Sequence, residues 1–133
     1  MGLDTHKKLR SYLERENIFS VLNDTKWQRL IDALKEIEYT LDFQRKDLDE
    51  PAPNENNWDS DFHHVLGLHQ KIEWINIRAV LTKPSGALLN DEIIDNTELL
   101  LKAVNKSGVP YSLNSNGVRI WGYLRPGVNP QWV

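Results

Sequence analysis

Apolar residues recur at helical spacing through the first third of the chain: Leu9, Tyr12 and Leu13, then Trp27, Leu30, Ile31, Leu34 and Ile37. Recurrence at i, i+3 and i+4 marks one buried face of an amphipathic helix. The first helix is predicted to take Asp4 or Thr5 as its N-cap and to run to about Glu16. The second follows the capping cluster Asn23-Asp24-Thr25 and reaches about Ile37. Between them, Ile18-Phe19-Ser20-Val21-Leu22 reads as a turn or short helix tucked into the core.

From Tyr39 the period falls to two. Tyr39, Leu41 and Phe43 alternate with Thr40, Asp42 and Gln44, the signature of a half-buried strand. A polar loop from Asp49 to Asn57 follows, holding Pro51 and Pro53; loops of that length are functional or mobile. The second strand, about Lys71 to Leu81, is the most apolar, which places it centrally in a sheet. Lys83-Pro84-Ser85-Gly86 breaks the chain. A third helix is expected from about Asp91 to Lys106, with Ile93, Ile94, Leu100, Leu101 and Val104 on one side. Its acids lead, its lysines trail, and Gly108 is placed to end it, an order that suits the helix dipole. A hairpin closes the pattern: Val109–Leu113, the turn Asn114-Ser115-Asn116-Gly117, and Val118–Leu124. The order ααββαββ predicts an α+β fold over residues 1–133 as one domain. Its single, mostly antiparallel sheet has about four strands, with about three helices packed on one face.

Composition narrows the function. A chain of 133 residues with 40% apolar and 26% charged positions is an ordinary globular domain. The absence of cysteine excludes disulfides, thiolate catalysis and cysteine-bound zinc. Met1 to Lys7 lacks the apolar run of a secretory signal, and His6 stands where a myristoylation motif needs Ser or Thr. No stretch approaches the roughly 18 apolar residues of a membrane span, so a cytoplasmic protein without membrane contact is expected. The net charge of −3 argues against a general nucleic-acid partner. Six acids (Asp47, Asp49, Glu50, Glu55, Asp59 and Asp61) fall between positions 47 and 61 with no Lys or Arg among them. Such a cluster repels nucleic acid and attracts a basic protein, or is simply a solvated loop.

His63, His64 and His69 lie near Asp59 and Asp61 in sequence, which raises metal binding or a histidine-based nuclease. Adjacent His63 and His64 point apart on any regular element, and no HExxH spacing exists. RNA cleavage by paired histidines needs cations to hold phosphate, whereas this region is acidic. There is no G-x-S-x-G, P-loop or G-x-G-x-x-G. The expectation is therefore a protein that is not an enzyme, with no catalytic residue, metal or cofactor.

The strands hold a different constellation. In the second strand Ile75, Ile77 and Ala79 are expected to face the core, which leaves Trp74, Asn76 and Arg78 outward. In the last, Val118, Ile120 and Leu124 are expected inside, with Arg119, Trp121 and Tyr123 outward. If these strands are neighbours, the helix-free face shows aromatic and Arg residues. Protein hot spots use those residue types, and RNA-binding sheets use them too. The competing reading is that the loop or tail covers this face, with Trp132 as a plug.

The segments Asn23-Asp24-Thr25-Lys26-Trp27, Ile72-Glu73-Trp74-Ile75-Asn76-Ile77-Arg78 and Glu92-Ile93-Ile94-Asp95 resemble a family of small, uncharacterised bacterial proteins. The resemblance covers most of the chain from the second helix to the final hairpin and brings no established enzymatic activity with it. In size, acidity and architecture the chain also resembles immunity proteins of contact-dependent growth inhibition and other polymorphic toxin systems. That likeness implies an antitoxin-like inhibitor that neutralises a cognate toxin, often a nuclease, in the cytosol. On this expectation Asp47, Asp49, Glu50, Glu55, Asp59 and Asp61 steer the encounter, and Trp74, Arg78 and Trp121 anchor the complex. The alternatives are a regulatory or adaptor protein, including a homodimer through the aromatic face, and an RNA-binding domain.

Overall fold

The computed structural model describes residues 5–133. Helix α1 (His6–Arg15) starts where the Thr5 side chain accepts the Lys8 N–H at 3.2 Å, so Thr5 is the N-cap; Asp4 lies outside the described residues. Helix α2 (Asp24–Lys35) is capped by Asn23, whose side chain accepts from Lys26 N at 2.9 Å. Each cap satisfies a backbone donor that the first turn leaves without a partner. Between these helices lies strand β1 (Phe19–Ser20), not the turn or short helix expected for residues 18–22.

Strand β2 (Leu41–Asp47), helix α3 (Phe62–Leu66), strand β3 (Ile72–Lys83), strand β4 (Glu92–Asp95) and helix α4 (Thr97–Ser107) follow. Strands β5 (Ser112–Asn114), β6 (Gly117–Trp121) and β7 (Tyr123–Leu124) are the last strands, and the described chain continues to Val133. The main sheet has five strands in the order β2-β3-β6-β5, with β4 paired to the far end of β3, and β1 and β7 form a second, two-stranded sheet. Every pairing is antiparallel. The α+β class therefore holds, with a fuller element order than ααββαββ. The apolar strand β3 is central, with β2 on one side and β6 on the other.

The predicted third helix begins late. Glu92–Asp95 pairs with Val80–Lys83, so Ile93 and Ile94 lie in a strand. The Asp95 carboxylate then accepts the Thr97 N–H at 2.9 Å and the Thr97 hydroxyl, turning the chain into α4. Four residues of mixed preference follow whichever partner is offered, and the overhanging end of β3 offers backbone groups. Gly108, at φ 73°, closes α4 in the left-handed conformation, as its position in sequence implied. The hairpin strand expected over 109–113 is shorter and shifted, at Ser112–Asn114.

Helices α2 and α4 cover one face of the sheet. Leu30, Leu34, Leu100 and Val104 meet Leu41, Phe43, Ile75, Ile77, Ala79, Val118 and Ile120 in a single core, to which α3 adds Phe62, Val65 and Leu66. Full burial of each large aliphatic or aromatic side chain contributes about 1.5–3 kcal/mol. Helix α1 packs Leu9, Tyr12 and Leu13 on a separate cluster of Ile18, Leu48 and Tyr123.

That second cluster corrects the outward placement of Tyr123. The strand expected over Val118–Leu124 breaks at Gly122, whose N–H bonds to Glu73 O at 2.8 Å and whose carbonyl accepts from Val21 N at 2.9 Å. A Cβ on Gly122 would lie 2.1 Å from Ile72 O, so only glycine permits this approach. The break ends the two-residue alternation and turns Tyr123 inward, where its hydroxyl donates to Gln70 O at 2.7 Å. Leu124, expected in the core, is half-buried. Among the described residues, no helix is long and apolar enough to cross a membrane.

Candidate functional site

The side of the sheet away from α2 and α4 gathers side chains that alternate outward along neighbouring strands. Trp74 pairs directly with Trp121, Asn76 with both Gln44 and Arg119, and Arg78 with Asp42. The register thus brings Trp74, Arg78 and Trp121 onto one face, each half-buried. It also brings Arg119 and Asn76 to the centre of that face.

A chain of amides fixes the centre. Gln44 Nε2 donates to the carbonyls of Asn54 at 3.2 Å and Glu55 at 2.8 Å, while Asn76 Nδ2 donates to Gln44 Oε1 at 3.1 Å. Arg119 Nε then donates to Asn76 Oδ1 at 2.7 Å. Gln44 and Asn76 are both buried, and these bonds satisfy groups that would otherwise be costly to bury. The Arg119 guanidinium lies 3.9 Å from the centre of the Trp74 ring and 5.3 Å from that of Trp121. Trp121 Nε1 donates to Ser112 Oγ at 3.0 Å, which holds the second indole in place. Burial pushes the Arg119 guanidinium down from its ordinary value, and the Glu73 carboxylate only partly counters this.

The loop after β2 borders this face rather than leaving it open. Phe43 and Asp59 exchange two backbone hydrogen bonds of 2.8 Å, which closes the outer edge of β2. Trp58 then sits beneath the Arg78 guanidinium, 4.1 Å from ring centre to Cζ, while Arg78 Nε donates to Asp42 Oδ2 at 3.1 Å. At the opposite border the tail runs along β5: Trp132 bridges Ser112, and Val133 N donates to Tyr111 O at 3.0 Å. Trp132 thus joins the edge of the sheet through its backbone. A hollow of about 370 Å³ lies between the tail and the face, lined by Ser112, Arg119, Trp121, Pro130 and Gln131 among others.

The acidic cluster divides into bound and exposed members. Asp47 pairs with Arg45 Nε at 2.6 Å, and Asp49 lies 3.6 Å from Lys71 Nζ. Asp61 caps α3 by accepting His64 N at 3.1 Å. Asp59 accepts the Asp61 N–H at 2.8 Å and lies 3.1 Å from His64 Nδ1. The Asp61 N–H, and after it His64, hold the Asp59 carboxyl below the ordinary carboxylate range. Glu50 and Glu55 are exposed. A window of sequence without Lys or Arg therefore overstates the field, because Arg45 and Lys71 reach in from outside it.

Beneath this loop a cleft of about 720 Å³ opens against β2 and α3, lined by Arg45, Asp47, Glu50, Trp58, Asp59 and His64 among others. Arg45 also donates to the carbonyls of Val65 at 2.6 Å and Leu68 at 3.0 Å, and to that of Gly67, so its charge is spent on the end of α3. The three histidines go to three different acids. His64 meets Asp59, His69 Nε2 lies 3.1 Å from Asp24, and His63 Nε2 lies 4.0 Å from Glu38. Among the described residues no three metal-ligating side chains converge.

Alternation along the strands pointed to Trp74, Arg78 and Trp121. It also placed Arg119 outward without marking it as an anchor. Trp58 and the Gln44–Asn76 pair carried no such signal, because a loop tryptophan and two amides acquire meaning only through the register. No curated protein and no solved structure matches the chain. Residues 9–127 match the family of unknown function DUF6678, so this chain belongs to the DUF6678 family.

Proposed function

We propose that this protein acts by binding a partner protein through the helix-free face of its sheet, and that it serves in the cytoplasm as an inhibitor of a cognate toxin. The observation that carries this reading is the prearranged face itself. Trp74, Trp121 and Arg119 form one stack, Trp58 and Arg78 form another, and buried amides hold the first. Aromatic and Arg side chains that are already ordered lose little conformational entropy on association, so contacts with them yield slow dissociation. The exposed Glu50 and Glu55 lie on the loop that borders the face and favour a basic partner, such as a nuclease toxin. This mode of action needs no catalytic residue and no cofactor. Stacking of RNA bases is disfavoured, because the Arg119 guanidinium already covers one face of Trp74.

The test is affinity capture from native lysate with the wild-type protein and with a Trp74→Ser/Trp121→Ser variant. A stoichiometric protein held by the wild type and released by the variant is expected. Its isolated domain should be toxic when expressed, and co-expression of the wild type alone should relieve that toxicity. A partner held equally by the variant, or toxicity that the wild type leaves untouched, overturns the reading.

A further inference from the structure

The basic side chains of β2, β3 and β6 that lie over the body of the sheet differ in one respect. Arg45 has Asp47 at 2.6 Å, Lys46 has Glu73 at 2.9 Å and Arg78 has Asp42 at 3.1 Å. Arg119 makes no ion pair among the described residues, and its hydrogen bond to them leaves through Nε to Asn76. Both Nη groups thus remain available, on a guanidinium that is half-buried, stacked on Trp74 and lining the hollow beside the tail. An Arg fork fixed at Nε, beside apolar indole surface, is a ready receptor for a planar anion.

We infer that Arg119 is the anion-recognition centre of this face and accepts an Asp or Glu carboxylate of the partner protein in the hollow beside Trp121. The inference rests on the reading of the face as a partner-binding surface and names one chemical requirement of that partner. Charge decides for a single carboxylate over a nucleic-acid backbone. The chain carries −3 overall, so a polyanion meets a repulsion that a single carboxylate meets far less. Partial desolvation strengthens the pairing, because the guanidinium has already surrendered much of its water.

The probe is propionate, which reproduces the end of a Glu side chain, titrated at constant ionic strength against chloride. It is followed by NMR on the Nε–H of Arg119 and the indole N–H groups of Trp74 and Trp121. Saturable shifts confined to these three resonances are expected. In Arg119→Gln the affinity should fall by about tenfold or more, as loss of a charge-assisted pair implies. Arg119→Lys, which keeps the charge and loses the fork, should fall between, and the two indole signals report that each variant is folded. Shifts that do not saturate, an affinity unchanged in Arg119→Gln, or a clear preference for inorganic phosphate or oligoribonucleotide would overturn the inference. The two readings fail separately. A toxin partner released by the tryptophan variant and held by Arg119→Gln removes the carboxylate site alone, whereas propionate binding together with a captured partner that is not toxic, and that both the tryptophan variant and Arg119→Gln release, removes the inhibitor reading alone.

Discussion

Arg125 donates from Nε to Glu73 Oε1 at 2.8 Å, joining the segment after β7 to the central strand across 52 positions of sequence. The same carboxylate oxygen takes Lys46 Nζ at 2.9 Å, and Arg125 Nη2 continues to Tyr12 Oη at 2.9 Å and Leu48 O at 2.8 Å. One buried acid thus ties α1, β2, β3 and the segment after β7 together. Removing it leaves two partly buried cations without their partner, and breaking such a pair is far costlier than never having built it. Glu73→Ala is expected to lower stability by about 3 kcal/mol, and Glu73→Gln by less because it retains an acceptor. Equilibrium urea unfolding measures both; equal stability of Glu73→Ala and the wild type would show the cluster to be idle.

Two glycines in the last hairpin carry a steeper requirement. A Cβ at Gly122 would stand 2.1 Å from Ile72 O, and one at Gly117 the same 2.1 Å from Ile77 O. Both obstacles are backbone atoms of the central strand, which has no freedom to withdraw. Gly122→Ala and Gly117→Ala are each expected to cost at least about 4 kcal/mol or to abolish folding, as overpacking against rigid neighbours does. Circular dichroism during thermal unfolding decides it, and a melting temperature unchanged from wild type in either variant would contradict the geometry.

The acids of the loop should separate in a stability measurement. Asp61 caps α3, so Asp61→Ala is expected to lose about 1 kcal/mol, the usual worth of a cap. Glu50→Ser and Glu55→Ser, at exposed positions, are expected to stay within about 0.5 kcal/mol of wild type. Chemical denaturation of the three variants side by side checks this. Substitutions that leave the fold intact are the ones to carry into association kinetics, where slower binding with a weaker salt dependence is expected.

Acid should loosen the loop through Asp59. Its carboxyl sits below the ordinary value in the folded chain, first because the Asp61 N–H bonds to the charged form and then because of His64. A depressed folded value means that this stabilisation is present above the unfolded range near pH 4 and fades as the pH falls through the lower folded value. Asp59→Asn keeps an acceptor for Asp61 N and loses the charge, so its stability should fall less steeply than wild type below about pH 4. Unfolding midpoints collected from pH 6 down to pH 2 give the comparison, and parallel curves would mean that Asp59 contributes no linkage.

Much of the frame was legible because it rests on local rules. Thr5 and Asn23 cap α1 and α2 as a hydroxyl or amide before an apolar stripe should, and Gly108 ends α4 in the left-handed conformation. Alternation along Trp74–Arg78 and Val118–Trp121 separated the two sides of the sheet up to Gly122, although Asn76, expected outward, is buried by its bonds to Gln44 and Arg119. There the division failed, because a close approach to Ile72 breaks the strand and sends Tyr123 inward. Ile93 and Ile94 were misplaced on a helix for a related reason. Their spacing suits either element, and the overhang of β3 chose the strand.

The sequence by itself determined the α+β class, the two capped helices, the apolar central strand and the outward set Trp74, Arg78, Arg119 and Trp121. Periodicity and capping act over a few residues, so one dimension is enough to read them. Only the tertiary structure decided which charges are spent and which remain available. Arg45 and Lys71 neutralise acids that look unopposed along the chain, and Glu73 gathers Lys46 and Arg125. Arg119 is left stacked on Trp74 with both Nη groups open. Ion pairing depends on distances of about 3–4 Å between atoms dozens of residues apart, and strand register, not sequence spacing, sets those distances.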